Sequence, residues 1–175
     1  MNISIKLGQA NNIDELENLY DCVNDYLAEG TNYCGWRKGI YPSRQDAING
    51  VNSGNLFVAT YDGNIVGSII LNHEAESAYH NVNWEFDYDY SEICVIHTFL
   101  VHPKFMKYGV GKTLLEFAEK YCAKSKFKSI RLDVYEKNIP AINLYEKCGF
   151  KYVDTVDLGL GIYGLDWFKL YEKLL

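Results

Sequence analysis

The sequence lacks a Cys-x-x-Cys pair, a basic patch and any long apolar run. Its five cysteines (Cys22, Cys34, Cys94, Cys122 and Cys148) are odd in number and scattered. That argues against a structural zinc site or any other metal centre, and for buried, reduced thiols in a cytoplasmic protein. No segment approaches 18 apolar residues, so no membrane span is expected. The opening MNISIKLGQANNIDEL has neither a basic start nor a long apolar stretch, so it does not read as a signal peptide. Positive charge is in deficit: 17 Lys and Arg stand against 23 Asp and Glu, for a net charge of −6. A nucleic-acid-binding surface would need the opposite balance, whereas cationic or amine partners are favoured by simple attraction. Internal repeats and low-complexity linkers are also missing, and 175 residues suit one domain spanning 1–175.

The chain is rich in apolar residues, at 48%, and in aromatics, at 15%, enough for a sizeable core. Ile3, Ile5 and Leu7 alternate as in a short strand. Ile13, Leu16, Leu19, Tyr20, Val23 and Leu27 fall at helical spacing, with Asn11 or Asn12 placed to cap the start. After a turn-rich aromatic loop, Ser43 opens a second short helix ending near Gly54. NLFVATYDGNIVGSIILNH reads as a hairpin turning at Asp62-Gly63. An acidic, aromatic excursion follows, and then ICVIHTFLV, a run apolar enough to predict a strand buried on both faces. Val110, Leu114, Phe117, Ala118 and Tyr121 mark an amphipathic helix. KSIRLDVY is another buried strand, and Ala141, Leu144, Tyr145 and Cys148 mark a helix closed by Gly149. Two further strands end the chain around a glycine-rich connection. The order β-α-α-β-β-β-α-β-α-β-β predicts an α/β fold with a mixed sheet covered by helices.

Between the apolar strand and the next helix stands MKYGVGKT, residues 106 to 113, composed like a phosphate-holding loop. A nucleoside-triphosphate loop needs G-x-x-x-x-G-K-[ST]. Gly111, Lys112 and Thr113 fit it, but Met106 occupies the first glycine place. A dinucleotide fingerprint needs G-x-G-x-x-G at the first strand-to-helix turn. Gly109 and Gly111 fit, Leu114 does not, and the preceding strands form hairpins. A third reading is a pyrophosphate arm held by the backbone N–H groups of residues 106 to 112 and the helix dipole, with Lys107 and Lys112 adding charge. A glycine-rich turn that binds nothing is the bland alternative.

A second motif narrows the choice. RLDVYEKNIPAINLYEKCGF, residues 131 to 150, places Asn138, Ala141, Leu144, Tyr145, Gly149 and Phe150 in the pattern N-x-x-A-x-x-L-Y-x-x-x-G-F. Together with Val101, Pro103, Gly109 and Gly111 upstream, it resembles the GCN5-related N-acetyltransferase (GNAT) superfamily, strongly over residues 93 to 153. Met106 departs from the [QR] that the pattern has at that place. The resemblance implies an acyl-CoA N-acyltransferase fold, with a mixed, mostly antiparallel sheet of about seven strands and about four helices. It implies acetyl-CoA as cofactor, held by Phe99, Leu100 and Val101, by Met106, Lys107, Tyr108, Gly109, Val110, Gly111, Lys112 and Thr113, and by Asn138, Ala141 and Tyr145. Met106 is expected to contribute its backbone amide.

In this reading the strand spans roughly 92 to 102 and splays from the next, at roughly 128 to 135. The pantetheine arm pairs with Phe99 and Val101 as an added strand. Tyr145 protonates the departing thiolate, or else only fills core. His97, on the strand face of Phe99 and Val101, is the first candidate to take the amine's proton. Glu92 is the second. Asp133 binds the substrate amine or fixes the His97 tautomer, or else is a surface residue. Trp36, Tyr41 and Pro42 line the acceptor pocket on one side and Trp84 with the following acidic run lines the other. The expected activity is direct acetyl transfer to a primary amine, on a small molecule or a peptide N-terminus, without a cysteine nucleophile. A non-catalytic acyl-CoA-binding module and a longer acyl donor are the alternatives. The aromatic end IYGLDWFKLY permits a homodimer.

Overall fold

The structure, a computed structural model, describes residues 1–175. Its elements follow the expected order: β1 (Ser4–Leu7), α1 (Ile13–Glu29), α2 (Arg44–Asn52), β2 (Leu56–Tyr61), β3 (Asn64–Asn72), β4 (Ile93–Val101), α3 (Val110–Lys124), β5 (Ser129–Tyr135), α4 (Ile139–Lys147), β6 (Lys151–Val156) and β7 (Phe168–Leu174). The strands make one seven-stranded sheet in the order β1-β2-β3-β4-β5-β7-β6. Pairs β1–β2, β2–β3, β5–β7 and β6–β7 are antiparallel, and β4–β5 is parallel. A parallel pair needs a long crossover, which α3 supplies. The β4–β5 register covers only Ile93–Val95 of β4, opposite Ser129–Arg131. No helix is long and apolar enough to cross a membrane.

The chain divides into two compact units. One comprises Met1–Asn32, Trp36–Leu71 and His97–Phe117, and the other Tyr33–Gly35, Asn72–Ile96 and Ala118–Leu175.

In the first unit, α1 buries Leu16, Leu19, Tyr20, Val23 and Leu27, the residues its 3.6-residue period selects. The β2–β3 hairpin turns where predicted, with φ of 49° at Asp62 and 79° at Gly63, as a type I′ turn requires. Ser43 caps α2, and Asp46 reaches back to the Ser43 N–H at 2.7 Å. The expected cap of α1 is corrected. Asn12 has helical backbone angles, so its side chain cannot reach the first α1 amides as an extended N-cap would. It accepts the Gln9 N–H instead, at 3.0 Å, one turn earlier. Gly67 on β3 permits a close approach: a Cβ there would lie 2.9 Å from the Leu100 carbonyl oxygen and 3.1 Å from Leu114. The missing side chain lets the end of β4 and the start of α3 settle on β3.

In the second unit, Tyr79, Ile93, Val95 and Leu170 form a buried cluster, with Trp84, Tyr88 and Tyr90 packed on it. The β5–β7 register sets Arg131 opposite Glu172, and their side chains form an ion pair at 2.8 Å with 2% and 3% of their surface exposed. Arg131 Nη2 also donates to the Phe86 carbonyl at 3.1 Å. Glu172 Oε2 accepts the Glu85 N–H at 3.3 Å. The Trp84 ring covers the guanidinium at 4.0 Å. The excursion before β4 is thereby tied to the sheet.

Two patterns differ from expectation. Only Ile93–Ile96 of β4 are buried on both faces; from His97 onward half-buried and buried residues alternate. The buried line of α3 is Val110, Leu114, Leu115, Ala118 and Cys122, while Tyr121 is exposed. The core line advances by four residues per turn, one place beyond the position Tyr121 occupies.

Glu172→Ala leaves the Arg131 charge buried without its carboxylate. We expect a loss of about 3–5 kcal/mol of unfolding free energy, read from urea titration. Arg131→Met with Glu172→Leu removes both charges and should cost clearly less.

Candidate active site

The glycine loop lies in the first unit. The His102 N–H donates to the Val66 carbonyl at 2.9 Å, pinning the end of β4 to β3. Pro103–Phe105 then make one 3₁₀ turn. Lys107 and Gly109 take positive φ, 68° and 87°, a conformation that suits glycine and strains lysine. Helix α3 begins at Val110. The Met106 and Tyr108 amides donate to the Pro103 and Phe105 carbonyls, and the Thr113 amide to the Gly109 carbonyl. The amides of Lys107, Gly109, Val110, Gly111 and Lys112 enter no backbone hydrogen bond. A helix start with unspent amides, two glycines and a positive dipole end is a fitting cradle for phosphate oxygens. The Met106 amide, expected to face the cofactor, donates within the 3₁₀ turn at 3.2 Å. Lys112 divides its charge with Glu116, 3.5 Å away and one turn on.

Strand β4 meets the aromatic loop beside this cradle. Thr98 has φ of 44°, a kink in the pleat unusual for a β-branched residue. The half-buried face nevertheless remains His97, Phe99 and Val101. The Tyr41 hydroxyl lies 2.8 Å from Thr98 Oγ1, and the Trp36 ring packs edge-on against Tyr41 at 5.6 Å. Two predicted acceptor residues and the predicted base segment are therefore assembled in one unit. Thr98 was not foreseen, since nothing local distinguishes a kinked threonine from a strand threonine.

The second unit holds Glu92, Trp84, Asp133, Asn138, Ala141 and Tyr145. Glu92 closes a 3₁₀ turn just before β4 instead of starting the strand. Asn138 caps α4: its Oδ1 accepts the Ala141 N–H at 3.3 Å, with Pro140 in the first turn. Its Nδ2 donates to Cys34 Sγ at 3.3 Å. The Asn138 side chain and the Ala141 amide are both engaged in this cap. Tyr145 is buried, with Phe150 and Tyr171 rings at 5.9 and 6.4 Å. Asp133 is half-buried, and its Oδ2 accepts a hydrogen bond from the Tyr79 hydroxyl at 2.9 Å. Trp84 donates its indole N–H to the Tyr79 carbonyl at 2.8 Å. Tyr79, missed in the sequence, thus joins two predicted residues. Burial, and then the Asp133 carboxylate, push its phenol well above the usual value.

Two of the thiols are poor nucleophiles. Burial pushes Cys34 up to about 12, against the Asn138 hydrogen bond. Cys94 is raised by its neighbour Cys122 and by burial. No group of three or more His, Cys, Asp or Glu side chains is placed to hold a metal ion.

A mixed α/β sheet with an amide-lined glycine loop opening a crossover helix defines a domain built to hold a phosphate-bearing ligand. Residues 16–150 match the acetyltransferase (GNAT) family, and the chain belongs to it. It is 32% identical over 116 residues to a streptothricin acetyltransferase of Escherichia coli, covering 65% of this chain and 58% of that protein. The chain thus spans little more than half the length of that relative. A GNAT-family acetyltransferase from Streptococcus agalactiae has the same fold, with a TM-score of 0.78 at 20% identity over 99% of this chain and 95% of that one. A PaiA N-acetyltransferase from Thermoplasma acidophilum, solved with coenzyme A, gives a TM-score of 0.68 at 21% identity over the whole of both chains.

His102 roots the loop in a pH-dependent way. Its Nδ1 accepts the Lys104 N–H at 3.1 Å, which places the ring proton on Nε2, facing Cys22 Sγ at 3.6 Å. Burial and the Lys104 charge lower its value from the ordinary 6.5. The unfolded chain therefore takes up the proton first on acidification, and the stability His102 contributes above its ordinary value is lost as pH falls through the folded one. Between about pH 7 and about pH 5.5, the urea midpoint should fall further in the native chain than in His102→Gln.

Proposed function

We propose that this protein transfers an acetyl group from acetyl-CoA to a primary amine, carried by a small molecule or a peptide N-terminus. The observation that carries the reading is the set of unspent amides at Lys107, Gly109, Val110, Gly111 and Lys112, in a chain of the acetyltransferase (GNAT) family. Those amides, with the Lys107 and Lys112 charges, hold the pyrophosphate. The backbone of Phe99 and Val101 pairs with the extended arm. When bound, acetyl-CoA supplies an acetyl group activated as a thioester.

The chain's own groups supply positioning and proton transfer. His97 takes the amine's proton, with Glu92 as second candidate acting through water. Tyr145 gives its hydroxyl proton to the leaving sulfur. Trp36 and Tyr41 form the acceptor wall of the first unit. The raised Cys34 and Cys94 thiols favour direct transfer over an acyl-cysteine step. Five free cysteines fit a reducing, cytoplasmic setting.

Calorimetric titration with acetyl-CoA, with ATP in parallel, is the first test. Micromolar acetyl-CoA affinity and no ATP response are expected, and absence of acetyl-CoA binding would refute the reading. A thiol-release assay over an amine panel then separates an enzyme from an acyl-CoA sensor. Tyr145→Phe should lower kcat roughly 10²-fold while leaving acetyl-CoA affinity within a factor of about two, the scale of a change remote from the phosphates. Equal turnover would remove Tyr145 from the mechanism.

A further inference from the structure

Two polar residues interrupt the apolar runs of the first unit. Helix α1 turns Leu16, Leu19, Tyr20, Val23 and Leu27 to the core, and Asn24 lies among them at 2% exposure, one turn beyond Tyr20. On β3, Ser68 is fully buried and shares its strand face with Val66 and Ile70. The Glu15 carboxylate of α1 accepts the Ile65 N–H of β3 at 2.5 Å, which ties the helix to that strand. The Tyr20 phenol is also fully buried. Burial raises it, and Ser68 lies close enough to lower it in part. Yet the Tyr20 hydroxyl, Ser68 Oγ and Asn24 Oδ1 make no hydrogen bond of ordinary geometry to the protein.

Buried polar oxygens are costly to leave without partners, and folded proteins satisfy such groups with internal water. The chemistry of the three fits water. Asn24 Nδ2 donates to the Pro42 carbonyl at 3.3 Å, so its Oδ1 is an acceptor that still needs a donor. Each hydroxyl can donate or accept. Water, with two donors and two acceptors, can serve the amide and join the hydroxyls. None of the three side chains carries a charge that would favour an ion instead.

Asn24 is also the link to the acceptor wall. It holds the Pro42 carbonyl, next to Tyr41, whose hydroxyl lies 2.8 Å from Thr98 Oγ1 and whose ring carries Trp36. An amide satisfied at both ends is fixed in orientation and fixes this corner with it.

We propose that Tyr20, Asn24 and Ser68 hold internal water behind the Tyr41–Pro42 corner, and that Tyr20 and Ser68 are thereby positioning residues for Tyr41 and Trp36. The role of that wall rests on the amine-acetylation reading given above, whereas the water site does not need it. Tyr20 and Ser68 touch no reactant and act only through the water and Asn24.

Crystal structures of the full chain test the site. Ordered water should lie within about 3.2 Å of at least two of the three oxygens, and Ser68→Ala and Tyr20→Phe should displace it. Direct bonds among the side chains with no water between them, or water that neither variant disturbs, overturn the proposal. The indole N–H resonance of Trp36, assigned with Trp36→Phe, reports the wall without any substrate. It should shift or broaden in both variants, and the double variant should change it no further than the larger single one, since both act through the same water. An unchanged resonance, or additive changes, overturns the positioning role. Kinetics supply a third readout. With the best amine of the panel, each variant should raise the acceptor KM about threefold, the scale of one hydrogen bond, while kcat and the acetyl-CoA KM hold. A fall in kcat with acceptor KM unchanged would mean a structural role only and overturn the positioning role. If the native chain consumes no amine, the acetylation reading fails, and the crystal structures and the resonance still decide the water site.

Discussion

Much of the second unit depends on one dry ion pair. Arg131 and Glu172 face each other across β5 and β7 and are almost completely removed from water. Such a pair is not by itself a source of net stability, because desolvating two charges offsets most of their attraction. Its consequence is specificity. Once the guanidinium is buried, its remaining donors must be satisfied, and the Phe86 carbonyl and the Trp84 face do so. Once the carboxylate is buried, its second oxygen must be satisfied, and the Glu85 amide does so. A segment with little regular structure thereby acquires one position on the sheet.

The first unit is organised by a different constraint, the change in character along β4. Its first four residues are buried on both faces and the rest alternate. The change coincides with the kink at Thr98, which the Tyr41 hydroxyl meets. Beyond it, the strand ends on β3, a 3₁₀ turn consumes two amides, and the next amides open α3 without partners. Backbone geometry alone prepares this loop for an anion. Met106, a departure at the side-chain level, does not change which of these amides lack a backbone partner.

What could be read from sequence follows the range of the interactions. The element order, the Asp62-Gly63 turn, the Ser43 cap and the Asn138 motif depend on neighbours within a few residues, and composition or spacing records them. Asn12 shows the limit of local reading: the residue type suits a cap, but an extra 3₁₀ turn moved the helix start past it. The Tyr79–Asp133 bond joins residues 54 apart and the Arg131–Glu172 bond residues 41 apart. No period or motif encodes such a meeting. Arg131 did leave one sign, a charge inside the apolar run KSIRLDVY, since a buried charge requires a partner somewhere. Tyr79, one of 15 tyrosines, left none.

The two kinds of recognition are separated by their chemistry. Phosphate oxygens are met by main-chain amides and helix polarity, which any sequence able to make the turn can present. An amine is met largely by side chains, because the backbone offers a cation only its carbonyls, and alternate carbonyls of β5 already face the β7 ladder. Carboxylates and aromatic rings are therefore the available means, and they must be held still to discriminate.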